Sequence, residues 1–256
     1  MCLLLLALDS HPSYELLIAA NRDEFYDRPT RAAEFWAEQP DILGGKDLRG
    51  GGTWFGITKS GKFAAVTNYR DPDTLKDNAP SRGELVSAYL KGSFDPREYL
   101  SELVGKANLY NGFNLIIGHR KEVYWYSNYG EGIRKIEPGI HGLSNHLLDT
   151  TWPKVVRGKE KLERLVKDQN DIDPETVFKI LLDNLKPDDK DLPDTGVDLE
   201  WERILSPIFI SSPSYGTRSS TVVLVSHKGE VVFFERNFNA SSQHKNTLKY
   251  SFRTEI

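Results

Sequence analysis

The sequence predicts an α+β layered sandwich with mainly antiparallel sheets, on three observations. Apolar, strand-like runs come in pairs joined by short turn-rich breaks, which is hairpin chemistry and implies antiparallel ladders. Segments of helical period are grouped in the middle of the chain between strand pairs at both ends, instead of alternating with single strands. No Ser/Gly-rich or Pro-rich linker divides the 256 residues, so a single domain over 1–256 is expected.

Composition narrows the function classes. Hydrophobic residues at 39% supply a core and charged residues at 27% a soluble surface. A formal net charge of -4, with no block of lysine or arginine, argues against a nucleic-acid footprint. Leu3 to Leu8 is too short for a signal sequence and lacks a basic flank, and no stretch approaches a transmembrane helix. One cysteine permits no internal disulfide, so a reducing, cytoplasmic setting is expected.

In chain order, Leu3–Leu8 and Tyr14–Ala20 form the first hairpin around Asp9-Ser10-His11-Pro12-Ser13. Cys2 begins its first strand and the cluster Asn21-Arg22-Asp23-Glu24 ends its second, so the two ends meet. Phe25 to Trp36 reads as a loop covering the strand ends. Leu43 to Trp54 is dense in glycine, and that density suits either a tight irregular loop or a binding loop where backbone approaches a ligand, around Arg49, Gly52, Thr53 and Trp54. The spacing of a phosphate-binding P-loop is absent. Thr53–Thr58 and Lys62–Tyr69 make a second hairpin that ends on the amide of Asn68. Asp71 to Ser81 is a Pro/Asp loop.

Helices follow at Ser81–Lys91, with Ser81 and Glu84 in capping-box spacing, and at Asp95–Lys106, with Tyr99, Leu100, Leu103 and Val104 on one face. Strands return at Gly112–His119, Glu122–Ser127 and Gly139–Leu143, the last leading to Asn145. Lys154–Lys167 and Pro174–Leu185 are helical, with Val156, Leu162, Leu165, Val166, Val177, Ile180 and Leu181 facing inward. Residues 183–200 are acidic and aperiodic, a surface insertion that composition makes mobile. Tyr215–Thr221 leads into Val222–Ser226, followed by strands at Val231–Arg236 and Thr247–Phe252.

Cys2 carries two readings. Free cysteine is often a small buried hydrophobe. Yet initiator methionine is usually removed before a small second residue, which would leave a thiol and a free α-amine on one residue. The amine titrates near ~8 and the thiol near ~8.5, so the amine serves the thiol as base. A retained Met1 would block that amine.

Cys2, Asn21-Arg22-Asp23-Glu24, Gly52-Thr53-Trp54, Thr67-Asn68, Asn111-Gly112-Phe113-Asn114, Gly142-Leu143-Ser144-Asn145 and Tyr215-Gly216-Thr217-Arg218-Ser219-Ser220-Thr221 together resemble the NRDE family, the transport and Golgi organisation protein 2 family. The resemblance spans nearly the whole chain. It implies the N-terminal nucleophile hydrolase fold, a four-layer αββα sandwich. By likeness to cysteine amidohydrolases of that superfamily, Cys2 looks like the nucleophile and Asp23 like the aspartate that orients it. Asn68 and Asn145 resemble oxyanion-hole or substrate-amide asparagines, and Arg218 looks like the arginine that holds the thiolate. Asn21, Arg22, Glu24, Asn114, His146 and Thr217 join the candidate binding residues. One departure stands out: the amidohydrolases have arginine three positions before the aspartate, where this chain has Ala20, and Arg22 lies on the other side of Asn21. Strand alternation puts Ala20 and Arg22 on one face and Asn21 and Asp23 on the other.

Two functions of different class are open at this point. One is hydrolysis of an amide or thioester through Cys2, with no cofactor and no metal required. The other is a non-catalytic carrier of haem or acyl-coenzyme A in the same cleft, which the family also implies. No covalent haem-attachment motif is present, and Cys2 or His146 is then the candidate axial ligand; His146 equally reads as a surface-loop histidine.

Overall fold

The computed structural model describes residues 2–168 and 170–254, with Cys2 described by its backbone. Among these residues the chain runs β1 (Cys2–Leu8), β2 (Tyr14–Phe25), β3 (Thr30–Trp36), β4 (Gln39–Asp47), β5 (Phe55–Thr58), β6 (Lys62–Asn68), α1 (Gly83–Lys91), α2 (Pro96–Val104), β7 (Phe113–His119), β8 (Glu122–Ser127), β9 (Arg134–Lys135), β10 (Gly139–Leu143), α3 (Pro153–Asp168), α4 (Pro174–Leu181), α5 (Leu199–Leu205), β11 (Tyr215–Ser226), β12 (Glu230–Phe238) and β13 (His244–Arg253). This is a mixed α+β chain, and the described pairings in both of its sheets are antiparallel.

The chain forms two compact units, each assembled from separate stretches. The first comprises Met1–Asp27, Pro138–Ser144 and Leu148–Ser251. Its six-stranded sheet has the order β10-β1-β2-β11-β12-β13, so β1 is an interior strand between β10 and β2. Helices α3 and α4 cover one face: Leu162, Val177 and Phe178 pack on Leu3, Leu5, Leu17, Ala19, Val222 and Leu224. The alternate residues Leu4, Leu6, Ile18 and Val223 are buried as well. Burial on both faces explains why β1 reads as an unbroken apolar run with no period of two.

The second unit comprises Arg28–Glu137, Asn145–Leu147 and Phe252–Ile256. Its seven strands run in simple chain order, β3 to β9. Helices α1 and α2 cover one face, where Val86, Tyr89 and Leu100 pack with Ala64, Leu115 and Ile117.

Several local expectations need correction. The stretch expected as a loop over Phe25–Trp36 contains the strand β3, and β4 takes in the start of the glycine-rich stretch. β3 is an edge strand: Ala33 and Trp36 are buried while Arg31 and Glu34 are exposed, and register shifts break its alternation. The indole N–H of Trp36 donates to the Gly44 carbonyl at 2.9 Å, tying β3 to β4. Ser81 makes no capping box, because Arg82 is the residue at the start of α1 and its side chain caps nothing. Val104 and Val156 are exposed; in α3 the inward valine is Val155, one position earlier. Within and beyond 183–200 the chain forms a short turn of helix at Asp189–Asp191 and then α5, which is capped by Asp198: the Trp201 amide donates to its carboxylate at 2.8 Å.

Candidate functional site

The β1–β2 ladder sets Cys2 opposite Arg22 and Leu3 opposite Asn21, and on its other edge β2 pairs with β11. Residues directly opposite in an antiparallel pair share a face. Arg22 and Ser219 therefore lie on one face, with Asn21, Ser220, Asp23 and Thr217 on the other. The thiol of Cys2, and with it the expected approach of Arg218 to the sulfur, lies outside the described residues.

Asn21 is committed to the fold. Its Oδ1 accepts from Ser220 Oγ at 2.6 Å, and its Nδ2 donates to the Leu181 and Ile208 carbonyls at 2.8 and 2.9 Å. A single amide thus fastens β2 to the end of α4 and to the segment leading into β11.

Asp23 is the chemically distinctive group. It is fully buried, and Thr217 Oγ1 donates to its Oδ1 at 2.7 Å. Its own carbonyl accepts the Tyr215 hydroxyl at 3.0 Å. Burial pushes its carboxyl up to about 6, against the opposing pull of the Lys154 ammonium, the Thr217 hydroxyl and the Arg22 guanidinium. A carboxyl titrating there can exchange a proton near neutral pH. Lys154 was not anticipated as more than a helical residue. It is buried in the first turn of α3 and donates to the Leu205 carbonyl at 2.9 Å. The signal was available: Lys154, Gly158 and Leu162 fall on one i, i+4 stripe whose other members are core.

Arg218 is the extra residue of a β-bulge. Thr217 pairs with Asp23 and Ser219 pairs with Arg22, leaving Arg218 without a partner position in the ladder. It is half-buried and donates to the Phe25 carbonyl at 2.8 Å. Beside it, a Cβ on Gly216 would stand 2.2 Å from the Tyr26 hydroxyl and 2.7 Å from the Ile210 carbonyl, so only glycine fits. Phe25, Trp201 and Tyr215 form an edge-to-face aromatic group at the same strand ends, with ring centroids 5.1 to 6.4 Å apart. Glu24 lies opposite Gly216 and its carboxylate accepts the Phe25 amide at 2.9 Å.

The second unit holds the other candidates. Asn68 ends β6, and its carbonyl accepts Asn145 Nδ2 at 3.0 Å; the Arg70 amide donates to the Asn145 carbonyl at 2.8 Å. The two asparagines are thus neighbours, and Asn145 is fully buried. His146 is half-buried, its ring 5.0 Å from that of Tyr69, which stacks on Tyr129 at 4.1 Å. Burial lowers the His146 pKa and favours the neutral imidazole. Asn114 is spent inside the sheet, donating to Thr67 Oγ1 and accepting from the Trp125 indole. Thr53 donates to the Phe55 carbonyl at 2.7 Å, and Gly52 packs against the backbone of Gly83. The Trp54 ring occupies the space a side chain on Gly45 would need, while Arg49 is exposed at the loop.

Among the described residues no three His, Cys, Asp or Glu side chains group as metal ligands, and no helix is long and apolar enough to cross a membrane.

Comparison with known proteins adds family and fold. The family described as Transport and Golgi organisation 2 matches residues 1–240. The Transport and Golgi organization protein 2 homolog of Bos taurus is 38% identical over 276 residues, covering 100% of both chains. The Homo sapiens homolog is 36% identical over 98% of this chain and 99% of its own, and the Drosophila melanogaster protein 30% identical over 95% and 94%. Among solved structures, two mutant forms of the conjugated bile acid hydrolase from Clostridium perfringens superpose with TM-scores of 0.50 and 0.51. They share 11% and 10% sequence identity with this chain; each match covers 99% of it, with 98% and 92% of the hydrolase chains. That likeness shows the fold of an N-terminal nucleophile hydrolase.

Proposed function

This chain belongs to the Transport and Golgi organisation 2 family, and on that premise we propose that it is an N-terminal cysteine hydrolase acting on amide or thioester carbonyls. The observation that carries the reading is the end of the β1–β2–β11 ladder. There Cys2 stands opposite Arg22, next to a buried Asp23 carboxyl whose proton affinity is raised and whose orientation Thr217 fixes. The superposition on the bile acid hydrolase supports it at the level of fold.

In this reading removal of Met1 frees the Cys2 amine. The amine takes the thiol proton, and the sulfur forms a bond to the substrate carbonyl carbon. Collapse of the tetrahedral adduct breaks the C–N or C–S bond, and the leaving group departs with the proton held by the α-ammonium group. Water then adds to the acyl-thioester, releasing the acid and restoring the thiol. Asp23 accepts hydrogen bonds from the α-ammonium form and so keeps the amine in place, and the neighbouring cations favour thiolate.

The test combines intact-mass measurement with a panel of acyl p-nitroanilides and acyl thioesters. A mature chain lacking Met1 that turns over one substrate class, with Cys2→Ala inactive but still binding, supports the proposal. Binding with no turnover in wild type, or turnover unchanged in Cys2→Ala, removes it.

A further inference from the structure

We propose that the second unit carries a separate binding site, for a small monocarboxylate with an apolar body, in the groove between α1 and the glycine-rich stretch. A cavity of ≈ 580 Å³ opens there, lined by Trp36, Lys46, Gly51, Gly52, Ala88 and Lys91 among others. Small-molecule sites run from roughly 300 to 1,000 Å³, so the volume suits a ligand of modest size.

The glycines of this stretch divide into two kinds. Gly45 and Gly52 are fixed by close packing. Gly51 is different: its φ is +74°, and nothing lies within 4 Å of the place where a Cβ would stand. Its bare peptide borders open space, the arrangement in which backbone forms a binding wall.

The charges around the cavity choose the ligand. Lys46 and Lys91 both stand over the Trp36 indole, 4.7 and 5.6 Å from the ring centroid. A single carboxylate, Glu38, answers both: it pairs with Lys46, and Lys91 makes no ion pair among the described residues. The hydrogen bond from Lys46 and the charge of Lys91 together hold the Glu38 carboxyl below its usual range. Asp47 is already taken by Arg28 at 2.6 Å and by the Gly50 amide at 2.8 Å. This end of the cavity therefore carries one positive charge in excess. Glu84 lines the other end, two helical turns away on α1 or about 10 Å along its axis, and repels a second anionic group there. A carboxylate at Lys91, with an uncharged body along Ala88 and Leu48, satisfies both ends. A phosphate-rich nucleotide does not.

The experiment titrates isotope-labelled full-length protein with naphthoate, and in parallel with neutral naphthamide and with inorganic phosphate, reading amide chemical shifts. Naphthoate should move Gly51, Gly52 and Ala88. Lys91→Glu should weaken it about tenfold or more, the cost of losing one charge-assisted contact. Ala88→Trp, at an exposed helical position, should block it while the remaining spectrum stays native. Equal binding of naphthamide, phosphate reproducing the same shifts, absence of shifts at these residues, or unchanged affinity in Lys91→Glu would overturn the proposal. None of these readouts involves Cys2, so the outcome is independent of the hydrolase reading.

Discussion

Thr217 Oγ1 accepts the Ile210 amide at 3.0 Å and donates to Asp23 Oδ1 at 2.7 Å. A hydroxyl has one hydrogen, and the backbone donor leaves Thr217 no choice about where to send it. The orientation of the Asp23 carboxyl is thereby set by the main chain of a different segment.

Thr217→Val keeps the shape of the side chain and removes that donor. The ionised form of Asp23 loses a hydrogen bond, so its pKa should rise above about 6, by on the order of one unit. Carboxyl-carbon chemical shifts against pH measure it directly, and an unchanged titration would deny Thr217 its role.

Asp23→Asn should stabilise the protein while removing turnover. The folded pKa of Asp23 is about 6 against an ordinary 3.8, so the folded state binds the proton more tightly than the unfolded one. The stability cost of the ionised group is therefore full above about 6 and disappears as pH falls toward 3.8. Two pKa units correspond to roughly 2–3 kcal/mol, so urea unfolding at pH 8 should show a gain of that order that vanishes near pH 4. Equal effects at both pH values would show that charge burial is not the cause.

Asn21→Ala should cost stability through its three hydrogen bonds, two of them to carbonyls at the end of α4 and at Ile208. Leaving buried partners unsatisfied costs about 1–3 kcal/mol each, with partial relief by relaxation, so a loss of about 2–4 kcal/mol is expected in denaturant titration. A native-like midpoint would move Asn21 back among the ligand-binding residues.

Arg22→Met tests the cation opposite Cys2. Removing it should raise the thiol pKa by about one unit and slow alkylation at pH 7 about tenfold. Arg218→Ala should slow alkylation as well, because the arginine that resembles the thiolate-holding group of the amidohydrolases is gone. Rates equal to those of an unfolded control in wild type and both variants would eliminate electrostatic activation.

The hairpin of β1 and β2, the helical pair α3 and α4, and the α+β class were legible because apolar runs, turn residues and helical period agreed there. β3 was not, since an edge strand with exposed Arg31 and Glu34 has the composition of a loop. Motif likeness picked out Asn21 and Asn114 but could not separate ligand-facing amides from amides spent on packing, because both uses need the same side chain. Lys154 was missed for the opposite reason: a lysine in a first helical turn looks solvated until its place on the core stripe is counted. The role of Thr217 toward Asp23 depends on a pairing between residues 194 positions apart, which no local pattern encodes.

The bulge at Arg218 has a consequence for the phase of β11. In a regular strand Thr217 and Ser219 would point the same way; the extra residue throws them to opposite faces, Thr217 toward Asp23 and Ser219 beside Arg22. Deleting Arg218 would bring the ladder back into step with Thr217 still opposite Asp23 and Ser219 still opposite Arg22, so the loss would fall on the guanidinium that reaches the Phe25 carbonyl, without altering a single side chain of the Asn21–Glu24 cluster. The bulge is thus what lets β11 carry one cation more than the ladder has places for, and a change of one residue in the length of the strand removes that cation while the sheet around it keeps its order.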